Sequence, residues 1–258
     1  MIRWCGSCLH FIETCEPYDD FHIVEGVCPP CAVRPGTDLG KDQGELQRIE
    51  AFFNAIQEAA RSGAPVDTSR LWEESGRLGI TPLDLMYGIL QPLLYEIGSL
   101  WALDLIPVAT EQQFTVVVQE LLTLIRNARH PGAQPAALQV LLANVEGNRH
   151  TMGLEMAELL LAPSGTTVLT VLRGLPVQEL VALVQRHRPE ALGFSLALPA
   201  QLQYVLAVRD ALKALQDPPR HLLVGGPALS MGLDLKAYPE LRPCQQITDV
   251  PAILGCPL

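Results

Sequence analysis

The chain has 258 residues, 48% of them hydrophobic, enough for a substantial core divided among one to three small domains. Its 28 acidic residues against 18 basic ones give a net charge of −10 and a pI near 5.0, which opposes non-specific binding to nucleic acid or to an anionic membrane. There is no run of about eighteen uncharged apolar residues, and Met1–Cys5 does not read as a signal peptide, so a cytoplasmic protein without a membrane partner and without direct nucleic-acid binding is expected.

The first stretch with chemistry in it is Cys5-Gly-Ser-Cys8 followed by Cys28-Pro-Pro-Cys31. Each Cys-x-x-Cys turn is tight enough to aim both thiolates at one ion, and two such turns complete a tetrahedron of four sulfurs. Seven cysteines in a chain expected in the cytoplasm argue for metal ligands or free thiols over a disulfide framework. Zinc is the expected metal and iron the alternative. A closed four-cysteine site leaves no open position for chemistry, so its role is read as structural. Cys15, Cys244 and Cys256 read as ordinary thiols. Residues 1–38 form the expected metal module; with little core of its own, it would depend on metal binding worth roughly 10–16 kcal/mol in comparable peptides.

Arg34–Gly40 reads as a linker from its Pro and Gly content. A helical region is expected over 42–130. Leu46, Ile49, Phe52, Phe53 and Ile56 recur at spacings of three and four, and Ser62–Pro65 stops that helix. A second helix spans Thr68–Leu78. A third runs from Pro82, suited to a first turn, through Leu103, with a kink expected at Pro92. A fourth follows Pro107 and carries Phe114, Val117, Val118, Leu121, Leu122 and Ile125. Four helices with short connections predict an antiparallel four-helix bundle, and His130–Pro135 reads as a hinge.

Residues 136–258 alternate strand and helix signals. Leu138–Val145, Thr166–Leu172, Ala191–Leu196 and His221–Val224 read as strands, with helices over Gly153–Leu161, Val177–Arg186 and Gln201–Leu215. Gln246–Thr248 is the expected fifth strand and Val250–Leu254 a helical stub. The alternation predicts right-handed crossovers and a doubly wound, flavodoxin-like (Rossmann-like) parallel sheet in strand order 2-1-3-4-5. Ligands of such sheets bind beyond the carboxyl ends of the strands, at the switch point. Asn148-Arg-His150-Thr-Met-Gly153 follows the first strand, Ser195 ends the third and Gly225-Gly226 ends the fourth, so all should meet at one edge.

This placement resembles the cobalamin-binding domain of methionine synthase, the corrinoid shuttle proteins and the cobalamin light sensors, whose signature is Asp-x-His-x-x-Gly. The resemblance implies that His150 is the lower ligand to cobalt in place of the cofactor's own benzimidazole. It also implies that Ser195, Gly225 and Gly226 line the slot for the nucleotide tail, with Gly153, the glycine of the signature, among the cofactor-binding residues. The family's acidic residue is Asn148 here, so a carboxylate that would hydrogen-bond the imidazole and raise its basicity is missing.

In the helical region, Trp101 is followed ten and eleven residues later by Glu111 and Gln112. This resembles the helical cap of the cobalamin-dependent light sensors of the CarH type, where the corresponding Trp and Glu-His cover the upper face of the cofactor. Gln112 stands where that family has the histidine that captures cobalt after photolysis. The cysteine stretch resembles Trp-Cys-x-x-Cys … Gly-x-Cys-Pro-x-Cys modules of bacterial signalling proteins. Together these imply a non-enzymatic light sensor and signal-transduction protein, binding adenosylcobalamin between cap and α/β domain and lacking a DNA-binding domain. The photocobilin group resembles these sensors and also holds a bilin, which adds biliverdin to that reading. The alternative is a corrinoid methyl-carrier subunit of a methyltransferase system. The expected partner is a protein that takes up the signal, and homo-oligomerisation stays open.

Overall fold

The computed structural model describes residues 1–34, 43–128, 138–161, 166–246 and 249–254. Most of the expected linker, the expected hinge at His130–Pro135 and Cys256 lie outside them. The chain divides into two compact units, Met1–Arg129 and His130–Leu258. No helix is long and apolar enough to cross a membrane among the described residues.

The first unit begins with a small sheet that the sequence pattern did not predict. Strands β1 (Ile2–Cys5), β2 (Phe11–Thr14) and β3 (Ile23–Gly26) lie in the order β2-β1-β3, with β1 antiparallel to β2 and parallel to β3. The alternation Ile2-Arg-Trp-Cys sends Ile2 and Trp4 to a fully buried face, while Arg3 pairs across the strands with Glu13 on the other. A single turn of helix, α1 (Pro29–Ala32), carries the second cysteine pair.

Helices follow on the four stretches expected: α2 (Gln43–Ser62), α3 (Thr68–Arg77), a long helix from Pro82 to Ala102, and α6 (Val108–Asn127). Asp67 caps α3 by accepting from the Arg70 N–H at 3.0 Å, and the Thr81 hydroxyl caps the next helix by accepting from the Asp84 N–H. The apolar faces read from the sequence are the buried ones: Leu46, Ile49, Phe52, Phe53 and Ile56 on α2, and Phe114 through Ile125 on α6. Helix α6 packs on α2, on α3 and on the second half of the long helix, Gln91–Ala102.

The long helix is not regular. Between α4 (Pro82–Asp84) and α5 (Gln91–Ala102), Leu85–Leu90 forms a π-helical segment, and the Gln91 N–H bonds the Met86 carbonyl, five residues back. Pro92 has no N–H, and its ring crowds the carbonyl four residues before it, so the disturbance expected as a kink is taken up by a widened turn just upstream. Glu96 on α5 is 3% exposed and is satisfied by the Arg61 guanidinium and by the Gln57 amide at 2.8 Å, tying α5 to α2.

The second unit holds β4 (Leu138–Asn144), α7 (Met152–Leu161), β5 (Thr167–Val171), α8 (Val177–His187), β6 (Ala191–Ser195), a 3-10 turn at Pro199–Gln201, α9 (Leu202–Leu212), β7 (His221–Gly225), α10 (Pro227–Ser230), β8 (Leu241–Pro243) and α11 (Asp249–Leu254). The sheet order is β5-β4-β6-β7-β8, every pair parallel, which is the 2-1-3-4-5 order expected. Alternate residues of β4 feed two cores. Leu141, Ala143 and Val145 join Val184, Phe194 and Val205 on one face, and Val140 and Leu142 join Leu154, Ala157 and Val250 on the other.

One strand expectation needs correction. Among the described residues the fifth strand is Leu241–Pro243, continued by a Cys244 N–H to Val224 carbonyl bond at 2.8 Å; of the expected Gln246–Thr248, Gln246 is not in a strand and 247–248 lie outside the described residues. A three-residue edge strand with two exposed residues and a proline carries almost no hydrophobic pattern, although an edge is where a proline is tolerated.

Candidate functional site

The four cysteines come together. The sulfurs of Cys5, Cys8, Cys28 and Cys31 all lie within 4.8 Å of one another, with Cys5 and Cys31 buried and the other two half-buried. β1 delivers Cys5, the turn after it Cys8, and the first turn of α1 places Cys28 and Cys31. The Cys28 N–H points at Cys5 Sγ at 3.5 Å, and Cys8 and Cys28 sulfurs stand 3.6 Å apart. Burial works against ionisation of Cys5, but donors from the backbone of Cys28, Ser7 and Cys8 outweigh it and bring its thiol down to about 6. Cys8 and Cys28 are pushed up, by burial first and then by neighbouring thiols. Four sulfurs at these separations are spaced to hold one cation among them.

The cysteine segment and the helices share contacts. Trp4 is fully buried over Gly88 of the π-helical segment, where any Cβ would strike the indole ring. Asp84, 7% exposed, accepts from the Phe11 N–H at 2.9 Å, contacts His10 Nδ1 at 2.7 Å and accepts from the Thr81 hydroxyl at 2.6 Å. A single buried carboxylate therefore links the segment after Cys8 to the start of α4.

In the α/β unit, the candidate residues gather at the carboxyl edge of the sheet. Asn144, Ser195 and Gly225 stand in register across β4, β6 and β7. His150 lies on the loop between β4 and α7; it is exposed, and its ring has no hydrogen bond among the described residues. The Thr151 carbonyl accepts the Glu155 N–H, so α7 starts immediately after this loop. A Cβ added at Gly153 would lie 3.4 Å from Ser195 Oγ with nothing else near, so these two residues border the same space. Gly226 has φ +99°, and a Cβ there would come within 2.5 Å of the Leu196 carbonyl oxygen. The glycine at 226 is thus required first by the chain's own crossing.

Asn148 plays a part its position in the sequence did not disclose. It is 8% exposed; its Nδ2 donates to the Ser195 carbonyl at 3.2 Å and its Oδ1 accepts the backbone N–H of His150 at 3.1 Å. The amide holds the loop and does not touch the imidazole.

Trp101, Glu111 and Gln112 fall at the turn from α5 to α6. Trp101 is 44% exposed and so is not a core residue; Gln112 is exposed, and Glu111 is half-buried with the Thr115 hydroxyl donating to it at 2.9 Å. Leu103, Leu105 and Val108 beside them are also exposed.

A scan of protein-family models finds no match, and a search of curated proteins also finds none. Solved structures do match. The monomethylamine corrinoid protein of Methanosarcina barkeri aligns with a TM-score of 0.62 at 17% identity, over 79% of this chain and 96% of that one. The chain shares the fold of that corrinoid protein. Two other structures align with a TM-score of 0.41 at 19% identity. They are the methanol:cobalamin methyltransferase complex of Methanosarcina barkeri, over 80% of each chain, and a cobalamin-binding protein of Desulfitobacterium hafniense, over 79% of this chain and 97% of that one.

Asn144 and Asp84 were not among the residues singled out from sequence, and Trp4 entered only as the residue before Cys5 in the Trp-Cys-x-x-Cys pattern, with no sign of its packing on Gly88. Asp84 gave no signal beyond its residue type. Asn144 left one trace, a polar side chain closing an otherwise apolar run.

Proposed function

We propose that the α/β unit binds cobalamin, with His150 as the lower ligand to cobalt. The observation that carries this is the exposed, unpaired imidazole on a loop pinned at the carboxyl edge, beside Ser195, Gly153 and Gly225-Gly226. The residues fit such a group. A neutral imidazole suits cobalt, and a Cβ built at Gly153 would meet only the Ser195 hydroxyl within 4 Å. The fold held in common with a corrinoid protein supports the same reading. When bound, cobalamin supplies a cobalt–carbon bond open to photolysis or to transfer of its carbon group. His150 binds the metal, Asn148 orients the loop without adding charge, and Ser195 borders the space for the nucleotide tail. His150→Ala should lose the histidine-ligated absorption spectrum and bind cobalamin at least about tenfold more weakly; unchanged affinity and spectrum would sink the assignment.

For its role we infer a non-enzymatic light sensor, on the exposed Trp101 with Glu111 and Gln112, which would serve the upper ligand. An amide is a poor cobalt ligand, so illuminated adenosylcobalamin protein should give an aquocobalamin-like spectrum that shifts as bound water deprotonates. Gln112→His should give a pH-insensitive bis-histidine spectrum. A bilin would add its own band to the same spectra. The shared fold favours a second reading, a corrinoid methyl carrier; a dark- and light-stable methyl form that passes its methyl group to an acceptor would establish it. For the cysteine site we infer one zinc per chain, and an iron–sulfur band in anaerobic protein would refute that.

A further inference from the structure

We propose that Asn144 is a positioning residue that fixes the His150 loop in its ligand-bearing form before any cofactor arrives. The proposal rests on the reading of His150 as the cobalt ligand.

Asn144 closes β4 and is 1% exposed. Leu138–Ala143 before it is otherwise almost wholly apolar, so a carboxamide there carries a burial cost unless each of its atoms is bonded. Nδ2 donates to the Asn148 carbonyl at 2.8 Å and to the Leu172 carbonyl at 3.0 Å, and Oδ1 accepts the Val145 N–H at 3.0 Å. Both donors and one acceptor are used, and the two carbonyls and one N–H around it fix which atom is which.

The three bonds reach three places: the first residue after the strand, the residue two before His150, and the loop after β5. The last of these is already close. A Cβ at Gly174 would collide with the Val145 carbonyl and with Glu146, so the two loops lie backbone to backbone. From Asn148 the chain of contacts continues through Oδ1 to the His150 N–H and through Nδ2 to the Ser195 carbonyl. The loop is held at Val145, Asn148 and His150 by two buried amides, while the exposed imidazole has no hydrogen-bond partner among the described residues. No other side chain of this size does the same. Aspartate would set a carboxylate against two carbonyl oxygens, and leucine would leave both carbonyls and the Val145 N–H without a partner.

The test uses the full chain in two measurements. In cofactor-free protein, Asn144→Ala should speed amide hydrogen exchange at Val145, Asn148 and His150 by about tenfold or more, with β6 and β7 amides unchanged. On mixing with aquocobalamin, the absorbance change to the histidine-ligated form should slow by about tenfold and reach the same final spectrum. Asn144→Asp should behave no better than Asn144→Ala. If Asn144→Ala fails to fold, Asn144→Ser carries both measurements, since its hydroxyl keeps a polar group but cannot span the two carbonyls. Loop exchange at the wild-type rate overturns the proposal, and so does a variant that is less stable yet ligates at the wild-type rate. If wild type itself never gives a histidine-ligated spectrum, the cobalt reading falls, while the exchange measurement still decides what Asn144 does to the loop.

Discussion

In the first unit the deeply buried polar groups include two carboxylates, Asp84 and Glu96; in the α/β unit, among the described residues, they are Asn144, Asn148 and Thr166, all uncharged. The α/β unit closes two apolar faces over one sheet. Its buried amides do not hold the sheet together and are free to shape a loop. The first unit joins a three-strand sheet to helices over a small area, and there a charge that gathers several donors at one point fastens short elements together. Asp84 gathers Phe11, His10 and Thr81; Glu96 gathers Arg61 and Gln57.

The largest expected break in this contrast is metal removal. Stripping the metal, or Cys31→Ser, should cost the first unit most of a metal-binding energy of about 10 kcal/mol. Hydrogen exchange should then show β1 and β3 unprotected while β4, β6 and β7 keep their protection. Equal loss in both units would erase the distinction. Next comes Gly226→Ala, expected to destabilise by about 2–4 kcal/mol in denaturant unfolding, because a left-handed φ and an unyielding Leu196 backbone act together.

Glu96→Gln sharpens the comparison from the other side. It leaves a neutral amide facing Arg61, and about 1–3 kcal/mol is expected, reduced because Arg61 is half-exposed. Gly88→Ala should cost about 1–2 kcal/mol and shift tryptophan fluorescence, since the obstacle there is a side chain that can tilt. The smallest effect concerns Cys244. Burial, aided by Asp249, pushes its thiol from 9.0 up to about 12. The unfolded chain gives up this proton near pH 9 while the folded one keeps it, so the stability from this group is full below pH 9 and lost as pH rises toward 12. Alkylation near pH 9 should therefore reach Cys244 only after denaturant is added.

The sheet of the α/β unit was legible because its strands are short, nearly all apolar and separated by strong helical periods; its order followed from that alternation. That Ser195, Gly225 and the loop after β4 end at the carboxyl edge was legible for the same reason. Strand β8 was not, because two of its three residues face solvent. The small N-terminal sheet was hidden behind its cysteines, although Ile2-Arg-Trp-Cys alternates as a strand should. Asn144 left only one trace, the polar end of an apolar run, and its role could not be read from it: its partners include Leu172, and side-chain bonding at a strand end depends on loops far away in the chain. Asn148 was visible, but its bonding to the Ser195 carbonyl and the His150 backbone was not.

The widened turn at Leu85–Leu90 sets the phase of everything after it. A regular α-helix turns about 100° per residue, and a π turn holds roughly one residue more. The face that α5 presents is therefore rotated by about that angle from where an uninterrupted helix would carry it. Whether Trp101 reaches solvent is decided more than ten residues upstream, by how many residues the chain spends between Asp84 and Gln91. Substitutions within that interval change packing locally, whereas a single-residue deletion would turn Trp101 to another face of α5 without altering its side chain.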